Sequence, residues 1–136
     1  MLTPEERLEE VLAVLDELED VSSTAPVIVE GIRDVAAVKR LGIERNVISL
    51  GQGHSIFEFC ERLSRSWKKA VVLTDWDRKG GRLARALKDG LEANGVKVID
   101  DLRTKLVILT KKEIKDIESL PTYVQRLRLA AQKQRV

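Results

Sequence analysis

A chain of 136 residues, 43% hydrophobic and 34% charged, has the length and balance of one soluble domain with its own core. A net charge of +2 excludes a bulk polycationic arm, so any grip on phosphates must come from local clusters. The single cysteine, Cys60, excludes an internal disulfide, no apolar run approaches the ~20 residues of a membrane span, and the acidic start MLTPEERLEE lacks the apolar core of a secretory leader. A cytoplasmic protein with no membrane partner is the expectation.

In chain order, residues 3 to 20 read as an amphipathic helix. Thr3 suits the N-cap, Pro4 the first helical position, and Glu6 completes a capping box; Leu8, Val11, Leu12, Leu15 and Leu18 form one apolar stripe. SSTAP breaks the helix, and VIV at 27–29 follows as a short buried strand. DVAAVKRLGI reads as a helix closed by Gly42. VISL at 47–50 is a second strand and GQG a loop. SIFEFCERLSRSW is a helix with Ile56, Cys60, Leu63 and Trp67 on one face. AVVLT at 70–74 is a third strand. Leu83, Leu87 and Leu91 mark a helix from about Gly81 to Asn94, stopped by Gly95. VKVI at 96–99 alternates as an edge strand does. Beyond Asp101, LRTKLVIL places Leu102, Leu106 and Leu109 at helical spacing, while LVIL alone reads equally as strand. Thr110 with Glu113 forms a second capping-box pattern, and Pro121 separates a short helix from a last one over 122–133.

Strand and helix alternate four times over residues 27 to 99, which predicts an α/β fold with a four-stranded parallel sheet covered on both faces. The chain divides into an N-terminal helix over 1–24 packed on the domain, a core over 25–101 and a C-terminal helical extension over 102–136. In an open parallel sheet, ligands gather at the carboxyl ends of the strands. There the first strand runs into Glu30-Gly31, the second into Gly51-Gln52-Gly53-His54, the third into Asp75-Trp76-Asp77 and the fourth into Asp100-Asp101. Burying two neighbouring carboxylates is costly unless a cation joins them. Hard oxygen ligands suit Mg²⁺ or Mn²⁺, whereas a lone cysteine with no cysteine–histidine set argues against zinc.

VIVEGIRDVAAV followed by VVLTDWDRKGGRLARAL resembles the Toprim domain, which is shared by topoisomerases, bacterial primases, OLD-type nucleases and the small ribonucleases that mature 5S ribosomal RNA. The likeness covers about residues 25 to 100 and is carried by Glu30-Gly31 after the first strand and by Asp75, Asp77 and Gly80, the Asp-x-Asp-x-x-Gly after the third. Asp34 is similar to a residue of the primase and ribonuclease branches. The nearest likeness is to small stand-alone Toprim proteins of archaea and bacteria. The resemblance implies a Toprim-like sheet and a Mg²⁺ or Mn²⁺ at Asp75 and Asp77. Being two apart, these would face the same way on an ideal strand. Glu30 would act as general acid or base, or as ligand of a second metal, with Asp34 as an auxiliary ligand. Gly31 and Gly80 would let backbone approach a phosphate. Arg78, Lys79, Arg82 and Arg85 form the local basic cluster that could hold a nucleic-acid backbone, with His54 as a further phosphate contact.

Plainer readings compete. Asp34 suits an N-cap, Arg82 and Arg85 a solvated helix face, Asp100 and Asp101 a strand-to-helix cap, and His54 a loop position. Trp76 is expected to pack against a neighbouring helix, with base stacking as the other reading. Cys60 is expected in the core, and Asp116 and Glu118 at the surface. The lone tyrosine, Tyr123, and the absence of a P-loop argue against a topoisomerase or a complete OLD-type protein, and 136 residues leave no room for a primase's other domains. A Mg²⁺-dependent nuclease, similar to the 5S-RNA-maturing ribonucleases and acting on RNA ahead of DNA, is the expected function. The alternative is a non-catalytic, Mg²⁺-dependent nucleic-acid or nucleotide-binding module of a larger complex. Such a complex would dock through the N-terminal helix and the basic C-terminal residues Arg126, Arg128, Lys133 and Arg135, surfaces equally suited to a homo-oligomer.

Overall fold

The computed structural model describes residues 1–51, 53 and 55–134. His54 and Arg135 therefore lie outside the described residues. The first helix, α1 (Pro4–Val21), starts as its sequence predicts. The Thr3 N–H donates to Glu6 Oε1 at 2.9 Å, and the Glu6 N–H donates to Thr3 Oγ1 at 3.1 Å. Two of the donors that a helix start leaves unpaired are thereby satisfied. The chain then alternates β1 (Val27–Val29), α2 (Ile32–Arg40), β2 (Val47–Ser49), α3 (Ile56–Ser64), β3 (Lys69–Val72), α4 (Arg78–Ala93) and β4 (Lys97–Ile99), and ends in α5 (Asp101–Thr110) and α6 (Leu120–Gln134). Gly42 and Gly95 follow α2 and α4 with φ of 99° and 78°, the left-handed conformation that ends a helix without Cβ strain.

The four strands are parallel in the order β2-β1-β3-β4. Val27 lies opposite Val47 on one side and Val71 on the other, and Lys69 opposite Lys97. Alternation along the strands sorts the two faces. Val27, Val29, Val71 and Leu73 join α1, α2, α5 and α6 in the larger core, with Leu18, Leu106, Ile117 and Leu120 fully buried there. Ile28, Ala70 and Val72 point the other way, against Cys60 and Leu63 of α3 and Leu87 and Leu91 of α4. Each fully buried large aliphatic contributes about 1.5–3 kcal/mol relative to exposure. The apolar stripe of α1 (Val11, Val14, Leu15 and Leu18) is buried inside this core.

The strand order puts the topological switch point between β1 and β3. From β1 the chain crosses to β2 on one side, and from β3 it crosses to β4 on the other. The crevice between the carboxyl ends of β1 and β3 is where such sheets bind ligands.

Several element boundaries differ from the sequence reading. α4 begins at Arg78, three residues before Gly81, because Asp77 caps it. Trp67 lies just past the end of α3. Thr110 is the last residue of α5 rather than an N-cap: its hydroxyl donates to the Leu106 carbonyl at 2.7 Å, as a helix-interior threonine does. Residues 111–119 are turns with no short helix, and Pro121 falls in the first turn of α6, where its missing N–H costs nothing.

Candidate metal and nucleic-acid site

β3 ends at Val72, so Asp75 and Asp77 are not strand neighbours sharing a face; each is fixed separately by the turn that follows. Asp77 is the N-cap of α4, and its Oδ1 accepts the Gly80 N–H at 2.7 Å. The buried Thr74 hydroxyl donates to the Gly80 carbonyl at 2.7 Å. Gly80 is itself buried, and a Cβ there would stand 1.8 Å from the Asp75 carbonyl oxygen. Glycine is needed at this position for the helix start to close onto the strand end. That is a packing reason, and a buried Gly80 offers no surface to a phosphate.

Asp75 is held from three directions. Its N–H donates to Glu30 Oε2 at 2.8 Å across the switch point. Its Oδ1 accepts the Ile117 N–H at 2.9 Å, and its carbonyl accepts Arg103 Nη2 at 2.6 Å. Arg103 Nε also donates to the Thr74 carbonyl, at 2.9 Å. The neighbouring Trp76 is pinned the same way: its indole donates to the Ile114 carbonyl at 2.9 Å and its N–H to the Lys115 carbonyl at 3.0 Å. The packing reading of Trp76 holds, since its ring joins the larger core.

Asp34 sits at the third position of α2 rather than at its N-cap. It is 8% exposed and accepts the Gly31 N–H at 3.0 Å through Oδ2. Asp100 occupies the cap position of α5 but makes no capping bond; its carboxylate pairs with Lys88 at 3.3 Å. Cys60 is fully buried as expected, and its Sγ lies where a Cβ on Gly90 would come within 2.7 Å, so the small residue lets α3 and α4 approach.

The acidic groups crowd one another. Burial raises the carboxyl of Glu30 above its ordinary range, and the charges of Asp75 and Asp77 push it further. Burial likewise raises Asp75, with Asp116 and Asp77 adding to it while the Ile117 bond opposes. Asp34 is raised by burial and by the charge of Asp75, with Glu118 and Asp116 contributing. Burial pushes the Arg103 guanidinium below its usual value, and Glu30, Asp75, Asp77 and Asp100 pull it back up. Asp116, whose Oδ1 accepts the Ser119 N–H at 2.8 Å, is half-buried and belongs electrostatically to the site. Glu118 is exposed, and its 3.9 Å approach to Arg33 is a loose surface pair.

Among the described residues, no three carboxylate, histidine or cysteine side chains stand together in metal-holding geometry. Mg²⁺, however, is commonly held by one or two carboxylates, with waters and phosphate oxygens completing its shell. The donor set at the switch point fits that pattern. Glu30 and Asp75 are linked, oxygen-only and mutually repelling, and Asp77 keeps a second oxygen on the exposed side of its cap. The two hydrogen bonds of Arg103 go to carbonyls, and among the described residues no cation forms an ion pair with Glu30, Asp75 or Asp77.

The basic residues line up beside these acids. Arg78, Arg82 and Arg85 recur at i, i+4 and i+7 along one exposed stripe of α4, with Lys79 a quarter-turn away. None of the four has an ion-pair partner among the described residues. The first turn of α4 carries no acidic residue besides the capping Asp77, so cations crowd the positive end of the helix dipole. Lys79 and Glu30 share the wall of a cleft of about 290 Å³.

Sequence reasoning missed Arg103, Asp116 and the Ile117 N–H. Arg103 left a faint signal, a cation three residues before the buried Leu106 in an otherwise apolar helix stripe. The backbone donor left none.

The Toprim domain model matches residues 25–101. The chain belongs to the Toprim family. Its relatives include a UPF0292 protein of Methanosarcina barkeri, 47% identical over 124 residues, covering 90% of this chain and 86% of that protein. A UPF0292 protein of Methanocaldococcus jannaschii is 35% identical and covers 90% of this chain and 95% of its own length. The solved structure of an Aquifex aeolicus protein superposes with a TM-score of 0.67 at 31% identity, over 79% of this chain and 94% of that one. Toprim membership assigns a metal-dependent function related to nucleic acid, and Toprim domains typically bind Mg²⁺. The contacts from Arg103, Ile114, Lys115 and Ile117 come from beyond the matched Toprim span. Among the described residues, no helix is long and apolar enough to cross a membrane.

Proposed function

We propose that this Toprim protein is a Mg²⁺- or Mn²⁺-dependent nuclease of the cytoplasm, cleaving phosphodiesters of structured RNA ahead of DNA, as its likeness to the 5S-RNA-maturing ribonucleases implies. The observation that supports this reading most is the Glu30–Asp75 contact at the switch point, beside a stripe of cations on α4 that have no ion-pair partner among the described residues. Arg78, Lys79, Arg82 and Arg85 would bind backbone phosphates and carry no sequence information. Glu30, raised above the usual carboxylate range, is suited to exchange a proton with the attacking or leaving oxygen. Asp75 and Asp77 would hold the cation, with Glu30 beside them. When bound, the metal supplies positive charge to the phosphate oxygens. Arg103 acts through Asp75, as a positioning residue for the turn.

One observation favours the second reading, a module that binds nucleic acid without cutting it. Each of the three acids already has one oxygen committed to a backbone N–H. Glu30→Gln separates the two. Glutamine keeps an oxygen for the Asp75 N–H but cannot exchange a proton. For a nuclease, single-turnover cleavage of labelled structured RNA should fall by about 10²-fold or more while binding persists. Unchanged cleavage in purified Glu30→Gln protein would sink the mechanism. Tight metal-dependent binding without cleavage by the wild type would establish the module.

A further inference from the structure

β2 is an edge strand: among the described residues it pairs with β1 alone. Two clefts, of about 290 and 430 Å³, lie along it and share Leu50, Gly51 and Phe59. Together they make one trough between the β2 edge and α3. It starts at Glu30 and Lys79 and ends at Arg62 and Trp67. Its apolar wall is formed by Ile48, Leu50, Ile56, Phe59 and Trp67, all half-buried. These side chains pack on the smaller core with one side and leave the other to the trough. Cations stand at both ends: Lys79 beside Glu30, and Arg62 near Trp67, which runs on into exposed Lys68 and Lys69. The nearby Glu61 is engaged by Arg65 at 3.3 Å, and Arg62 has no ion-pair partner among the described residues.

We infer that this trough seats an unpaired nucleic-acid strand leading into the acidic site. The inference rests on the reading that the chain binds nucleic acid, and it names the form of substrate. Aromatic faces interleaved with cations along a groove are what single strands require, because every base has a face to stack while the backbone needs positive charge. Phe59 and Trp67 supply the faces; Lys79 and Arg62 supply the charge. Bases in a duplex are already stacked and paired and have no face to offer. The apolar trough beside an edge strand is also a shape that accepts a polypeptide strand, but a three-residue edge offers few ladder bonds, and the cations at both ends favour a polyanion. Cleavage should therefore act at single-stranded ends, loops or bulges, with the unpaired segment lying along β2.

The test uses full-length Glu30→Gln protein with Mg²⁺, so that turnover does not consume the probe, and reads tryptophan emission. A twelve-residue oligouridylate and a blunt-ended RNA duplex of the same length serve as probes. The unpaired strand should quench emission, the duplex should not, and the quench should vanish in Trp67→Leu. Phe59→Leu retains apolar bulk for the core but removes the aromatic face. It should weaken the unpaired strand about tenfold, within the range of one base–aromatic stack, without changing duplex affinity. Equal affinity for the two probes with no Trp67 response, or no effect of Phe59→Leu, would overturn the inference. So would an emission change that follows protein concentration with a doubled mass, which would make the trough a contact between copies. The two readings fail separately. Wild-type cleavage of duplex RNA without a Trp67 response removes the trough and leaves the nuclease. Trp67 quenching by a strand that wild-type protein never cuts removes the nuclease and leaves the trough.

Discussion

Gly80 and Gly81 are adjacent in α4, yet alanine at the two positions should act in opposite directions. At Gly80 a Cβ would lie 1.8 Å from the Asp75 carbonyl oxygen and 2.4 Å from its carbon, where real Cβ atoms essentially never approach within 3.0 Å. The obstacle is backbone and cannot rotate away, so the helix start must lift from the strand end. That strains or breaks the Gly80 N–H bond to Asp77 and the Thr74 hydroxyl bond to the Gly80 carbonyl. Two bonds at about 1 kcal/mol each, with about 1–3 kcal/mol for overpacking, give a loss of about 3–5 kcal/mol. Removing a helical glycine returns about 0.5–1 kcal/mol, leaving a net loss of about 2–4.5 kcal/mol. At Gly81 a Cβ meets nothing within 4 Å. Alanine there should stabilise by about 0.5–1 kcal/mol through helix propensity alone. Urea unfolding of both variants, read by far-ultraviolet circular dichroism, gives the comparison directly. Because Gly80→Ala displaces Asp75 and Asp77 together, it should also weaken Mn²⁺ binding, which Gly81→Ala should leave intact. Equal stabilities for the two variants would refute this account of the Asp-x-Asp-x-x-Gly turn.

Gly90→Ala should destabilise by about 1–3 kcal/mol, because its Cβ would stand 2.7 Å from Cys60 Sγ, and Cys60→Ala in the same chain should recover much of that loss; no recovery in a double-mutant cycle would place the strain elsewhere. Mn²⁺ at a hundred times its dissociation constant should stabilise the wild type by about 2.7 kcal/mol, and equal Mn²⁺ affinity by calorimetry in Asp75→Asn/Asp77→Asn would show the metal to be held elsewhere. Replacing Arg82 and Arg85 with alanine should flatten the salt dependence of RNA binding by about one to two units of log–log slope, and an unchanged slope would return them to a solvated face. Glu30, Asp34 and Asp75 are all raised in the folded state, which therefore holds more protons than the unfolded chain between the ordinary carboxylate range and the raised values. In metal-free buffer stability should fall as pH climbs through that window, and Asp75→Asn, which can still accept the Ile117 N–H, should lessen the fall; identical pH profiles would deny the crowding.

The sequence made the sheet legible because every core element carried its own periodicity. VIV is buried on both faces and reads as an uninterrupted apolar run, while β4 sits at an edge and alternates. Thr3, Pro4 and Glu6 announced α1 through contacts no more than three residues apart. The acids at the strand ends were visible for the same reason. What each acid does there was not visible. Asp77 caps a helix whose start, Arg78-Lys79-Gly80-Gly81, has no apolar residue to announce it and reads as a loop. Asp75 is placed by Ile117 and Arg103, 42 and 28 residues away, and no local pattern encodes a pairing of that span. The stretch 111–119 read as a short helix on the capping-box pattern of Thr110 with Glu113 and the break at Pro121. Instead Ile114 and Ile117 are buried from turns, and Leu120 opens α6.

The terminal segments therefore finish the family domain instead of decorating it. The matched span ends at residue 101, but within that span Asp75 would keep only its bond to Glu30. The Asp75 and Thr74 carbonyls would lose Arg103, the Asp75 carboxylate would lose the Ile117 N–H, and Trp76 would lose both of its acceptors. Those donors and acceptors stay in place because α5, α6 and the turn between them are packed into the same core as α1 and the sheet. The amphipathic stripe of α1, far in sequence from any acid, acts on the site through this packing, as part of the wall against which Leu106, Ile117 and Leu120 are buried. A group of carboxylates raised by burial, and further by one another's charge, is a local cost to stability, of the kind that binding and catalytic sites carry. In this fold the cost is met by a second core layer recruited from both ends of the chain. The turn bearing Asp75 is thus held by residues that touch neither metal nor phosphate.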